Sequence, residues 1–276
     1  SQNMSLISTI IIFILGTTLL VFILNSSLQN FLDGADTYKE KLINLKSEIV
    51  SLASQLGFEI NKDSLNSTIN AIPIGDIIKK LTQSILAVLS NSFLIIIFTI
   101  FLLTGEKKGI ENETFLKIKK SLFQYVSLKL VLSLATGILT YIVFLSFGVE
   151  LASMFALLTI LLNFIPNIGS IVAVLLPLPI LILQFSLGWQ LIAILSLLVL
   201  FQMVIGNILE PKLLGDSIGL HPVVVLLSLT FWGFIWGIPG MFLSVPITAS
   251  MKIIFESVEY TKPLANLLAG KIEVAS

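Results

Sequence analysis

Residues 188–208 read GWQLIAILSLLVLFQMVIGNI and contain no charged side chain. As a helix, this stretch is about 30 Å long at 1.5 Å per residue, which matches the hydrocarbon core of a bilayer. It is too long and too continuous for the alternating strands of about ten residues that build an outer-membrane barrel. The stretch therefore predicts a membrane-spanning helix.

The composition extends this prediction to the whole chain. Of its 276 residues, 56% are hydrophobic and only 12% are charged, whereas an ordinary soluble domain is about 25% charged. Residues 121–251 carry only five charged side chains, which are Lys129, Glu150, Glu210, Lys212 and Asp216. The predicted fold class is all-α, that of a polytopic helical membrane protein.

We expect the chain to divide into a transmembrane helix, an extracytoplasmic helical segment, a transmembrane transport region and a cytoplasmic tail, at residues 5–24, 25–83, 84–256 and 257–276. In the extracytoplasmic segment, apolar residues step by three and four from Leu28 to Leu56, which is a heptad pattern. This seam either joins subunits as a coiled coil or packs against residues 63–83 of its own chain. A homo-oligomer is the assembly that we expect.

Lysines indicate the orientation in the membrane. The short loop at residues 105–121 contains five of them, and the chain has no arginine. The positive-inside rule places such a loop in the cytoplasm. Residues 25–83 are then outside and the C-terminus is inside. We expect a multi-pass protein of the prokaryotic cell membrane.

Two apolar blocks are too short and are interrupted. Residues 151–165 stop at Pro166-Asn167-Ile168-Gly169, and residues 222–236 stop at Gly237-Ile238-Pro239-Gly240. Broken backbone within lipid must be surrounded by protein or line a cavity, and paired interrupted segments indicate a transport pathway. The sequence predicts two re-entrant-type hairpins. The residues assigned to hairpin and turn geometry are Pro166, Gly169, Pro211, Gly215, Gly219, Pro222, Gly237, Gly240 and Pro246.

Three motifs resemble the autoinducer-2 exporter family of bacterial and archaeal membrane proteins. They are FIPNIG at 164–169, NILEPKLLG at 207–215 and GLHP at 219–222. The resemblance implies a transporter of a small polar solute, although some family members act as sodium/proton antiporters. The family usually carries two further hydrophobic helices before the span that corresponds to residues 5–24, and the sequence departs from it by lacking them.

Glu210 is the first candidate for coupling or solute binding. An unwound segment at this point would offer its carboxylate to a proton or cation, with Asn207 and Gln202 as hydrogen-bonding partners. The alternative is a Glu210–Lys212 pair in a water-exposed loop.

The remaining candidates are polar residues at hairpins, spans and interfaces. Asn163 and Asn167 can satisfy backbone groups freed by the proline or bind a polyol. Lys129 either snorkels to the cytoplasmic interface or faces the pathway as a cation. His221 is either a proton sensor or a hydrogen-bonded structural residue.

Other function classes are disfavoured. Cysteine is absent, histidine occurs once and the formal net charge is zero, so neither a metal site, a cofactor nor nucleic-acid binding is predicted. Motifs of hydrolases, metalloproteases and ATP-binding proteins are missing, so we expect no enzyme. The leading hypothesis is export of a small polar solute, such as an autoinducer-2-like signal, without ATP hydrolysis. The alternatives are a sodium or lithium/proton antiporter and a non-transporting membrane assembly module.

Overall fold

The computed structural model describes residues 112–214 and 219–271, together with isolated positions between residues 16 and 54. All regular secondary structure in this part of the chain is helical, which confirms the all-α fold class. The predicted helix at 5–24 and the heptad seam as a whole, residues 84–111 with most of the lysine-rich loop, and Gly215 lie outside the described residues.

The helices are numbered in chain order. They are α1 (Glu113–Ser146), α2 (Ala152–Leu162), α3 (Ile168–Leu175), α4 (Leu178–Phe185), α5 (Trp189–Gln202), α6 (Glu210–Leu214), α7 (Pro222–Trp236), α8 (Ile238–Ser257) and α9 (Lys262–Leu268). A π-helical segment, Met203–Leu209, joins α5 to α6, and a 3-10 turn, Glu259–Thr261, precedes α9. Among the described residues, four segments are long and apolar enough to cross a membrane: Glu113–Ser146, Ile168–Phe185, Trp189–Leu213 and Ile238–Ser257.

The chain forms two compact units, and the first contains Phe144–Met154 and Pro177–Ala193 among the described residues. Within it, Gln184 secures the turn that follows α1. The Gln184 Nε2 donates to the Gly148 carbonyl at 2.6 Å, and its Oε1 accepts from the Glu150 N–H at 2.9 Å. A single side chain therefore satisfies two backbone groups where the helix has ended.

The second unit contains Lys107–Val143, Phe155–Leu176 and Ile194–Ser276. One face of α1 is buried in this unit although it is polar. Its residues are spaced by three and four positions, which places them on one side of a helix, and they are Lys129, Ser133, Thr136 and Thr140. Side chains of this kind avoid lipid and mark the surface of α1 that packs inside the unit.

The first predicted hairpin is present as α2, a turn and α3. Asn167, which precedes α3, has a φ of 59°, and this reverses the chain. Gly169 then lies so close to Leu162 that a Cβ would clash with the Leu162 carbonyl oxygen. Leu176 and Pro177 separate α3 from α4. Pro177 has no N–H with which to continue the hydrogen bonds of α3.

The second predicted hairpin consists of α7 and α8. Only Gly237, with a φ of 65°, separates the two helices. A Cβ on Gly240 would clash with the Trp232 carbonyl oxygen, so the same device brings the two backbones together in both hairpins. The Trp232 Nε1 donates to Thr248 Oγ1 at 3.2 Å across the pair. Pro246 lies inside α8 without ending it.

The chain around Glu210 differs from the predicted turn. Helix α5 continues through the π-helical segment into α6, and the Glu210 N–H donates to the Ile205 carbonyl five residues earlier. Pro211 has no N–H, and its ring would crowd the carbonyl four residues before it in a regular α-helix. The wider π register accommodates the proline without unwinding the chain.

Candidate functional site

The second unit contains a partly open cavity of about 1080 Å³. Its walls come from α1, the turn before α3, α3 itself, α5, the π-helical segment, α6, the entry of α7, α8 and the residues after α9. The hydrogen-bonding side chains in its wall are Tyr125, Lys129, Asn167, Ser170, Gln202, Asn207, Glu210, His221, Lys252 and Lys271. Pockets of several hundred cubic ångströms with a few placed polar groups are typical of small-molecule sites.

Lys129 and Glu210 form an ion pair in the wall of this cavity. The Lys129 Nζ lies 2.5 Å from the Glu210 Oε1, with side-chain exposures of 2% and 17%. Lys129 therefore does not snorkel towards water, and Glu210 does not pair with Lys212. Both side chains are drawn inward because each supplies the charge that the other requires in an apolar environment.

Because both charges are buried, the stability of the Lys129–Glu210 pair depends on the presence of both partners. Two buried opposite charges are tolerated because their attraction offsets the loss of hydration, and removal of one partner leaves the other uncompensated. A solute that hydrogen-bonds to Lys129 or Glu210 can substitute for part of the pair. The arrangement can thus bind a polar molecule and can respond to its presence.

Asn163 lies beside the cavity at the centre of a second polar cluster. Its Nδ2 donates to Ser133 Oγ at 3.2 Å, and its Oδ1 accepts from Ser170 Oγ at 3.5 Å. Asn163 is 2% exposed and Ser133 is fully buried, whereas Ser170 and Asn167 line the cavity. Asn163 therefore ties the polar face of α1 to the start of α3.

Gln202 presents a polar atom that lacks a partner. It is the last residue of α5, and it lines the cavity. Its Oε1 is buried and accepts no hydrogen bond from the residues that the structure describes. A buried acceptor without a donor is unfavourable by about 1–3 kcal/mol, so a donor group of a bound molecule would be stabilised here. No hydrogen bond between Gln202 and Glu210 is formed in the described structure.

His221 has a structural role at the entry of α7. Its Nδ1 accepts from the Val223 N–H at 3.3 Å, which makes His221 the N-cap of the helix. Its own backbone N–H donates to the Leu268 carbonyl at 3.0 Å. Gly270, with a φ of 73°, lies so close to the imidazole that a Cβ would clash with it. His221 therefore joins the end of α9 to the start of α7.

Most of the candidates from the sequence meet at this cavity. Those in its wall are Lys129, Pro166, Asn167, Gln202, Asn207, Glu210, Pro211, Gly219, His221 and Pro222. Asn163 contacts the lining residue Ser170. Gly169, Gly237, Gly240 and Pro246 do not line it and belong to the hairpins.

Several lining residues were not among the candidates from the sequence, including Tyr125, Ser170, Lys252 and Lys271. One signal was available for Tyr125, which lies four positions before Lys129 and therefore on the same face of the helix. Ser170 likewise follows Asn167 by three positions. Lys252 and Lys271 could not be placed at the cavity without the tertiary structure. Within the described ranges, no three His, Cys, Asp or Glu residues cluster as a metal site requires.

Comparisons with known proteins find relatives that are described as transport proteins. The profile of a family described as AI-2E family transporter matches residues 3–259. A candidate transport protein of Haemophilus influenzae is 30% identical over 97% of this chain and 80% of its own length. The AI-2 transport protein TqsA of Escherichia coli is 29% identical over 96% of this chain and 80% of its own length.

Proposed function

Since the chain belongs to the AI-2E family of transporters, we propose that it carries a small polar solute across the cell membrane through the cavity beside Lys129 and Glu210. The solute is of the autoinducer-2 type, as the name of the relative TqsA suggests. Transport is passive or coupled to an ion gradient and does not use ATP. Lipid surrounds the apolar helices, and the protein acts as a transporter rather than as an enzyme.

The observation that carries this proposal is the buried ion pair in the wall of a 1080 Å³ cavity. Charged side chains in membrane-spanning segments are rare and usually line solute or ion pathways. The cavity adds hydroxyl and amide groups from Ser170, Asn167 and Gln202. A polyhydroxylated molecule could exchange its water contacts for these groups.

Efflux of autoinducer-2 from proteoliposomes tests the proposal. Purified protein should release the solute faster than protein-free liposomes, and Lys129→Gln should reduce the rate at least tenfold. The matched control is Lys117→Gln, because Lys117 forms an exposed ion pair with Glu113 at 2.9 Å on the same helix. Equal efflux from wild-type and protein-free liposomes would refute transport of autoinducer-2.

A second candidate function is exchange of sodium or lithium for protons at Glu210. It is favoured by one observation, namely that Glu210 is the acidic side chain in the described wall of the cavity and already holds a cationic group. A monovalent cation would compete with the Lys129 ammonium for the carboxylate. Cation pulses that move protons across the proteoliposome membrane, and fail to do so in Glu210→Gln, would establish antiport and displace the first proposal.

Orientation and assembly complete the proposal. Residues 105–121 and the C-terminus lie in the cytoplasm, and residues 25–83 lie outside, as the lysine distribution suggests. The two hairpins are re-entrant, and the protein is a homo-oligomer.

If the protein does not transport, the external helices would instead serve a membrane assembly module. Deletion of residues 28–56 should then reduce the particle size in detergent, and an unchanged size would exclude an intersubunit seam.

A further inference from the structure

The charges around the cavity are unequal in sign. Three lysines line it, Lys129, Lys252 and Lys271, whereas one acidic residue among the described residues, Glu210, does so. Glu210 is engaged by Lys129. Among the lining residues that the structure describes, the other two ammonium groups therefore leave a positive excess, which attracts anions and repels cations.

Lys271 is exposed, so water screens part of its charge, whereas Lys252 is mostly buried. The Lys252 side chain is 12% exposed and pairs with Glu256 at 2.8 Å, but the Glu256 side chain is 50% exposed and does not line the cavity. Water screens an exposed carboxylate more effectively than a largely buried ammonium. The positive charge of Lys252 is thus only partly cancelled on the cavity side.

Two helices add to the same potential because their first turns form part of the wall. Asn167 and Ser170 belong to the start of α3, and His221 and Pro222 to the start of α7. The N-terminus of a helix carries a partial positive charge that favours anions. Together with the lysines, the N-termini of α3 and α7 therefore make the electrostatic potential in the cavity more positive.

We propose that the transported solute is a small polyhydroxylated anion, held by the ammonium groups of Lys252 and Lys271 and by Lys129 once the solute competes with Glu210. The inference rests on the proposed transport function and specifies its substrate class. The unpartnered Gln202 Oε1 accepts a hydrogen bond from a hydroxyl group of the same molecule. A sodium or lithium ion is disfavoured because it would enter a site of its own sign.

A matched pair of five-carbon probes tests the charge requirement. D-ribonate and ribitol differ at one end, where ribonate has a carboxylate and ribitol a neutral CH₂OH group. Their binding to the purified full chain in detergent at low salt is measured from the shift of the thermal unfolding midpoint with ligand concentration. We expect ribonate to bind at least tenfold more tightly than ribitol and to lose affinity as salt is added.

The lysines are tested by substitution. Lys252→Gln and Lys271→Gln should each weaken ribonate binding at least threefold and leave ribitol binding unchanged, and the corresponding arginine variants should restore it. Lys262→Gln is the control, because Lys262 is an exposed residue of α9 outside the cavity wall. Equal binding of the two probes, no binding of ribonate, or a preference that survives both glutamine substitutions would overturn the inference.

Efflux of both probes from proteoliposomes separates this inference from the transport proposal. Selective ribonate binding without efflux would keep the anion site and refute transport. Efflux of ribitol as fast as that of ribonate would support transport and overturn the anionic substrate class. Faster efflux of ribonate, reduced by Lys252→Gln, is the result expected if both are correct.

Discussion

Lys129 and Glu210 are 81 positions apart in the chain, and the Lys129 Nζ lies 2.5 Å from the Glu210 Oε1. This contact joins the middle of α1 to the first residue of α6, directly after the π-helical segment. The ion pair therefore links a long apolar helix to the place where the helical register changes. A solute that binds to either charge would therefore affect both α1 and α6.

Removing one member of this pair should destabilise the protein strongly. Glu210→Gln leaves the Lys129 ammonium buried without a counter-charge, and loss of one partner of a buried ion pair typically reduces stability by about 3–5 kcal/mol. The double variant Lys129→Gln/Glu210→Gln should be more stable than either single variant because it leaves no buried charge. Thermal unfolding in detergent measures all three. Additive losses in the double variant would show that the pair is not energetically coupled.

The two hairpins should depend on their close-approach glycines. Gly169→Ala and Gly240→Ala each place a methyl group against a backbone carbonyl oxygen, that of Leu162 or Trp232. Because a carbonyl in a helix cannot move aside like a flexible side chain, we expect each variant to lose at least about 2 kcal/mol through overpacking.

Gly206→Ala is the matched control for both glycines. Its new Cβ would meet only Ser170 Oγ, at 3.7 Å, which is an ordinary van der Waals distance. Its thermal unfolding midpoint should be close to that of the wild type. If Gly169→Ala and Gly240→Ala unfold at the same temperature as Gly206→Ala, the hairpins do not pack as described.

Asn163 should behave as a structural hub beside the cavity. Asn163→Leu removes the donor to Ser133 and the acceptor from Ser170, and unsatisfied buried groups lower stability by about 1–3 kcal/mol. In the double variant Asn163→Leu/Ser133→Ala, one of the orphaned groups is also removed, so the second substitution should add little. Chemical or thermal unfolding of the three variants gives the coupling energy. If Ser133→Ala lowers stability as much in Asn163→Leu as in the wild type, the two side chains do not share a hydrogen bond.

Local patterns in the sequence were sufficient for much of the architecture. The apolar block at 222–236 coincides with α7, which begins at Pro222 and ends before Gly237. Pro166 and Asn167 of the predicted break lie between α2 and α3, and α3 begins at Ile168. These features were predictable because prolines, glycines and the length of an apolar run determine the local backbone structure.

Contacts between residues that are far apart in the chain were not predictable from local patterns. Lys212 was the only cationic partner considered for Glu210, whereas the structure pairs Glu210 with Lys129, because the pairing depends on packing between distant segments. The continuation of the helix through Pro211 was also missed, because the π register depends on a shift in hydrogen bonding that leaves no composition signal. The cavity wall includes Lys252 and Lys271, which sequence position alone could not bring to Lys129.

His221 should stabilise the start of α7 by capping rather than by charge. His221→Ala removes the Nδ1 that accepts from the Val223 N–H, and loss of an N-cap lowers stability by about 1 kcal/mol. His221→Asn supplies a side-chain oxygen at the same position and should retain most of the protection. Hydrogen exchange at the Val223 amide reads the cap directly, and exchange in α9 reports the contact through Leu268. If asparagine exposes the Val223 amide as much as alanine does, His221 acts through its ring packing against Gly270 instead.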